Sequence, residues 1–137
     1  MTGFSVALPI RFGDCDLAGI AYYPRLLALV DAAIEDWTTA IIGVERLAMH
    51  RDHRLGLPTV ELTTRFERPC RLGERLQLSV RATALGETAL TLEVAASVGD
   101  EARFSARLVQ VLMDIDRMQK APWPDPWRLR VAAVLAP

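Results

Sequence analysis

Lysine is almost missing from this chain: among sixteen basic side chains in 137 residues, only Lys120 is a lysine and the rest are arginines. Charge of one sign is missing too, because seventeen acidic residues leave a formal net charge of −1. Gripping nucleic acid through bulk electrostatics needs a basic excess that neutralises phosphates, so the balance argues against that class of partner. The arginine bias suits oriented contacts to phosphate or carboxylate, and a GC-rich genome would produce the same bias. Cysteine is scarce. Cys15 and Cys70 fall short of a disulfide framework, which points to a reducing compartment and free thiols. No apolar run approaches the ~18 residues needed to cross a bilayer. Met1 to Ile10 lacks a basic stretch followed by a long apolar one, so no secretory signal is expected. A cytoplasmic protein with no membrane partner is the expectation.

What is present is apolar material in two periods. Hydrophobic residues make up 51% of the chain, enough for one compact domain whose core needs no metal or disulfide staples. From about Tyr23 to Ile42, the residues Leu26, Leu27, Val30, Ala33, Ile34, Trp37 and Ile41 recur at steps of three and four, which predicts one long amphipathic helix. Pro24 suits its first turn and Gly43 its end.

The second half alternates instead. Val60, Leu62 and Phe66, then Leu76 to Ala84, Leu90 to Val98 and Phe104 to Leu112 each show period-two patterning, predicting four half-buried strands. Val6, Leu8 and Ile10 suggest a further strand at the start. The connections Arg68 to Glu74, Gly86-Glu87 and Gly99-Asp100 are short, and short connections join antiparallel neighbours. The expected class is therefore α+β, with a strand, a long helix and an antiparallel meander. From Val109 to Met113 both faces turn apolar, so that stretch is covered twice, by a second subunit or by the tail folding back. Pro122, Pro124 and Pro126 bar the tail from a strand interior, and a short helix fits Trp127 to Leu135.

The chemistry concentrates between the first strand and the long helix. Arg11 to Pro24 holds Asp14, Asp16, Gly13, Gly19, Cys15, Tyr22 and Tyr23 just ahead of a helix N-terminus. A helix start presents unpaired N–H groups and partial positive charge, able to bind a carbonyl oxygen or a phosphate. A carboxylate beside such donors is what hydrolysis of an activated acyl group needs. The carboxylate attacks or deprotonates a water, and the donors hold the developing oxyanion. Turn capping by Asp14 or Asp16 would read the same way locally. Cys15 lacks a nearby histidine to hold a thiolate and reads as a spectator. His50 and His53 would share a helix face, but nothing completes a metal ligand set, so no metal is expected.

This segment resembles the signature of the 4-hydroxybenzoyl-CoA thioesterase family of hotdog-fold proteins, R-F-x-D-x-D-x-x-G-I/V-x-Y-P/H. Arg11, Phe12, Asp14, Asp16, Gly19 and Ile20 match it in register, and Tyr23 and Pro24 supply its closing pair after one extra residue. Pro69 to Leu76 resembles the family's turn into its second long strand. The resemblance implies a hotdog fold over residues 4 to 118, a long helix wrapped by a curved antiparallel sheet, with a tail over 119–137 of the same single domain. It implies an acyl-CoA thioesterase that yields free acid and coenzyme A without a cofactor, acting on an acyl or hydroxybenzoyl-like aryl group. Asp16 would be the nucleophile or general base, and the Tyr23 backbone N–H would polarise the carbonyl. Gly19 and Ile20 would contact substrate. Asp31, two helical turns on, would read a substrate hydroxyl or merely sit on the surface. Asp14 would orient the loop. A homodimer or homotetramer is implied as well, because hotdog subunits share active sites. Two positions depart from the pattern: Leu17 follows Asp16, and Leu85-Gly86-Glu87-Thr88 lacks a basic cluster for coenzyme A phosphates, which leaves Arg65, Arg68 and Arg71 to compensate. The alternative from another class is a hotdog protein that binds an acyl-CoA or acyl-carrier thioester without turnover.

Overall fold

A computed structural model describes residues 3–137. Strand β1 (Phe4–Pro9) leads through residues 10–22, which include a 3-10 turn at Phe12–Asp14, into α1 (Tyr23–Trp37), the helix its apolar spacing predicts. The helix continues for one widened π turn over Thr38–Ile42, where the buried Thr38 hydroxyl donates back to Ile34 O at 2.8 Å. Gly43 then ends it in the left-handed region, φ 83°, a conformation that costs a glycine little. Helix α2 (Arg46–Arg51) and the two-residue strand β2 (Leu55–Gly56) lead to β3 (Thr59–Phe66), β4 (Arg75–Leu85), β5 (Ala89–Val98) and β6 (Glu101–Val111). His50 belongs to α2, but His53 lies beyond it and stacks edge-on against Trp127, so the two histidines share no helix face.

The five long strands form one antiparallel sheet in the order β1-β4-β5-β6-β3. The meander expectation holds for β4, β5 and β6 and fails for β3. Residues 67–74 do not turn back into a hairpin; they cross the end of the sheet and deliver β4 three places away. Eight residues reach at most ~27 Å, ample for three strand spacings of about 4.8 Å each. A short loop therefore excluded a parallel crossover without requiring adjacency.

Leu26, Val30, Ala33, Ile34 and Trp37 of α1 bury into one cluster with Leu76, Leu78, Leu92, Phe104 and Leu108 of the sheet. In β4 a bulge between Ala82 and Ala84 breaks the alternation, so Ala84 is exposed rather than inward as its period suggested. Strand β3 departs further. It is a sheet edge, and Val60, Leu62 and Phe66 stay exposed although their spacing predicted a buried face. The tail, through β7 (Met113–Asp114), β8 (Gln119–Lys120) and α3 (Asp125–Ala132), returns along the doubly apolar stretch after Val109. Ala121 N–H donates to Leu112 O, and Trp123, Trp127 and Val131 are buried. The chain's own tail thus supplies the cover, and its helix begins two residues earlier than its apolar pattern indicated.

Candidate active site

The segment from Ile10 to Leu26 is held by its own short hydrogen bonds. Arg11 N–H donates to Asp14 Oδ2 at 2.8 Å, Tyr22 N–H donates to Asp14 O at 3.2 Å, and Arg25 Nε lies 3.5 Å from Asp14 Oδ1. Asp14 therefore ties the loop's beginning to the helix start, in line with an orienting role. A bridge between Cys15 and Ala21 closes the intervening five residues into a tight loop. Within it, Asp16 N–H donates to Ile20 O and Gly19 N–H to Asp16 O, both at 3.0 Å. Gly19 has φ 72° and open space around a built Cβ, so glycine is needed there for backbone conformation, not for clearance from protein atoms.

Asp16 itself is exposed. Its Oδ1 accepts from Ala18 N–H at 2.9 Å and from Ile20 N–H at 3.4 Å. Among the described residues nothing donates to Oδ2. One oxygen is anchored and the other is open to an incoming group.

The helix start is equally selective. Tyr22 caps α1 without a side-chain bond, and Tyr23 and Pro24 are its first two residues. Pro24 has no N–H, and the N–H groups of Arg25 and Leu26 both donate to Tyr22 O. Among the described residues no acceptor takes the Tyr23 N–H. It is the one uncommitted donor in the first three positions of this helix. Beside it opens a groove of about 300 Å³ lined by Ala21, Tyr23, Leu26, Phe66, Arg68 and Cys70, with the Tyr23 and Phe66 rings 6.4 Å apart. Asp16 and Ile20 stand on the loop leading to the groove, not in its lining. Asp31 is exposed on α1 outside it, on the side where Arg46 faces both Asp31 and Glu35. A larger hollow of about 1000 Å³ on the outer sheet face, with Ser79, Arg81, Glu93 and Arg107 in its wall, includes no residue of the Asp16 loop or of α1.

Cys15 donates to Arg11 O at 3.4 Å, and desolvation with the carboxylates of Asp14 and Asp16 pushes its thiol pKa up. That is the reverse of what a nucleophilic thiolate requires. Burial likewise raises the Cys70 thiol, against a lowering pull from Arg103. Among the described residues no cluster of His, Cys, Asp and Glu could hold a metal ion.

Sequence reasoning took segment 67–74 for a short connection between neighbouring strands and missed that it clasps the Asp16 loop. Cys70 O accepts from Ala21 N–H at 2.8 Å, Leu72 N–H donates to Gly19 O at 3.0 Å, and Arg71 bridges Ile20. Beneath the segment lies Arg103, only 7% exposed, which the alternation of β6 had turned toward solvent. Its partner Glu74 lies 29 positions away, so no local spacing announced the pair.

A carboxylate on a clasped loop, a free N–H at a helix start and a groove beside that helix start are the kinds of part an acyl-transfer site uses. The comparisons agree with that class. A family model described as the Thioesterase-like superfamily matches residues 10–132, so the chain belongs to that superfamily. It is a hotdog-fold thioester hydrolase. A 1,4-dihydroxy-2-naphthoyl-CoA hydrolase of Synechococcus elongatus is 29% identical over 126 residues, covering 91% of this chain and 92% of that relative. The crystal structure of a 1,4-dihydroxy-2-naphthoyl-CoA thioesterase from Synechocystis superposes with a TM-score of 0.87 at 21% identity, over 99% of this chain and all of that one. A gentisyl-coenzyme A thioesterase structure gives 0.85 at 23% identity, over 93% of this chain and 99% of the other. No helix among the described residues is long and apolar enough to cross a membrane.

Proposed function

We propose that this chain hydrolyses an acyl- or aryl-CoA thioester to the free acid and coenzyme A, with Asp16 as the catalytic carboxylate and the Tyr23 N–H as oxyanion donor. The observation that carries the assignment is the pairing of a half-anchored carboxylate with the single uncommitted N–H at the start of α1. Polarised by that N–H, the thioester carbonyl carbon is attacked either by Asp16 Oδ2 or by a water that Asp16 deprotonates. The C–S bond then breaks, and the thiolate of coenzyme A leaves and takes up a proton. Attack by Asp16 itself gives a mixed anhydride that water cleaves, restoring the carboxylate. An aryl acyl group is favoured by the names of the relatives and by the aromatic groove wall of Tyr23 and Phe66. Gly19 and Ile20 shape the approach to the carbonyl. Asp31, exposed on α1 outside the groove, meets only a substrate hydroxyl that extends beyond that groove.

The working form in this reading is a homodimer or a pair of dimers. Support comes from β3, an eight-residue sheet edge with Val60, Leu62 and Phe66 exposed, next to a groove at the small end of ligand sites. The free thiols of Cys15 and Cys70 fit a reducing, cytoplasmic setting.

The test is thiol release from a panel of aryl and aliphatic CoA thioesters by the wild type and by Asp16→Asn. Turnover that persists in Asp16→Asn moves the carboxylate role elsewhere. Binding of acyl-CoA without any cleavage makes the protein a thioester-binding module.

A further inference from the structure

Arg103 touches the crossing segment at its beginning, its middle and its end. Its carbonyl accepts from Glu67 N–H at 2.9 Å and from Arg68 N–H at 3.1 Å. Its guanidinium donates to Pro69 O at 2.9 Å and, through both terminal nitrogens, to the Glu74 carboxylate at 2.6 and 2.7 Å. Glu74 Oε1 also accepts from Arg71 N–H at 2.6 Å, closing the segment on itself. Glu101 Oε1 approaches Arg103 Nε at 2.7 Å without the alignment of a hydrogen bond. Two-point recognition of a carboxylate by a planar guanidinium fixes geometry as well as charge.

That pinned segment is what the active-site loop rests on. Its backbone holds Gly19, Ile20 and Ala21 through Leu72, Arg71 and Cys70, and it holds Ile10 through Gly73 and Glu74. Gly19 to Ala21 is the middle of the six-residue stretch, 17–22, that separates the Asp16 carboxylate from the Tyr23 N–H. A partly buried ion pair of this kind is weak evidence for stability, since a well-packed apolar substitute often serves as well; what its two-point geometry constrains is the position of the segment.

Granting the catalytic reading of Asp16 and Tyr23, we propose that Arg103 and Glu74 are positioning residues for thioester hydrolysis, setting through the 67–74 segment the spacing between attacking carboxylate and oxyanion donor. Misplacement by about 1 Å costs on the order of 100-fold in a well-oriented reaction, so a pair that meets no substrate still governs kcat. Arg103→Lys keeps the charge and loses the fork; Glu74→Gln keeps the shape and loses the charge.

The test is a double-mutant cycle in kcat, with the folded fraction of every variant measured by its cooperative thermal transition. Arg103→Lys and Glu74→Gln are each expected to lower kcat about 10-fold or more in the wild-type background. In the Asp16→Asn background the same changes are expected to alter kcat by less than about twofold, because the spacing they set no longer serves a carboxylate. A purely structural role lowers activity equally in both backgrounds, and that result overturns the proposal, as does a change confined to KM. Wild-type turnover by Asp16→Asn removes the catalytic reading and this inference together. A crippled Asp16→Asn in which Arg103→Lys still has its full effect removes the inference alone.

Discussion

Asp16 owes its aim to its own loop: Ala18 and Ile20 N–H groups anchor one carboxylate oxygen and leave the other free. Replacing it by Asn retains that anchoring and removes the charge. In the thiol-release assay, Asp16→Asn is therefore expected to lose at least ~100-fold in kcat while its melting transition stays near that of the wild type. Glu74 gives a prediction in pH. Hydrogen bonds from Arg103, then from Arg71 N–H, hold its carboxyl below the usual carboxylate range. A carboxyl whose folded pKa is depressed contributes stability that is complete above its unfolded value and is lost as pH falls through the folded one. Denaturant midpoints should thus drop as pH falls below the ordinary glutamate range, and Glu74→Gln should flatten that limb. Exposed Asp52 and Asp116, which pair with Arg51 and Arg54, retain a smaller slope in the same direction. An unchanged acid limb in Glu74→Gln would contradict the assignment. Asp14, Asp16 and Gly19 were singled out by the resemblance of their loop to a family signature, which composition alone would not have done; Arg103 was not, because burial of an arginine is decided by a distant carboxylate.

Among the elements, α1 was read almost to the residue, since three- and four-residue spacing, Pro24 and Gly43 are all local signals. Its last turn widens from buried Thr38, whose hydroxyl bonds back to Ile34, a feature that apolar spacing does not encode. The strands were legible one by one but not in their order: β3 pairs with β6, where Thr64 Oγ1 donates to Ser105 O across 41 positions. The tail helix α3 packs away from the groove. Trp127 is 6% exposed and stacks against His53, while none of the groove-lining residues belongs to α3. Trp127→Ala should lower unfolding free energy by about 3–5 kcal/mol in a denaturant titration and leave kcat of the folded fraction within about twofold. A large fall in kcat at full folding would tie the tail to the site after all.

For the whole molecule, the open edge is the feature that asks for a partner. Unpaired backbone along β3 and the exposed side chains of Val60, Leu62 and Phe66 would invite aggregation in a lone subunit. In the proposed homodimer that surface is covered, and Leu62→Arg should shift elution toward the monomer and cut kcat/KM, both read on one purified sample. A monomeric wild type with full activity would refute the shared-site arrangement. The crossing segment has a consequence in time as well. Helix α1 and the β4-β5-β6 hairpins arise from neighbours in the chain, whereas β1 waits for β4, as Ser5 pairs with Ser79, and Gly19 waits for Leu72. On the proposed catalytic reading, a nascent chain that coils its helix first would stay chemically silent until Leu72 reaches Gly19.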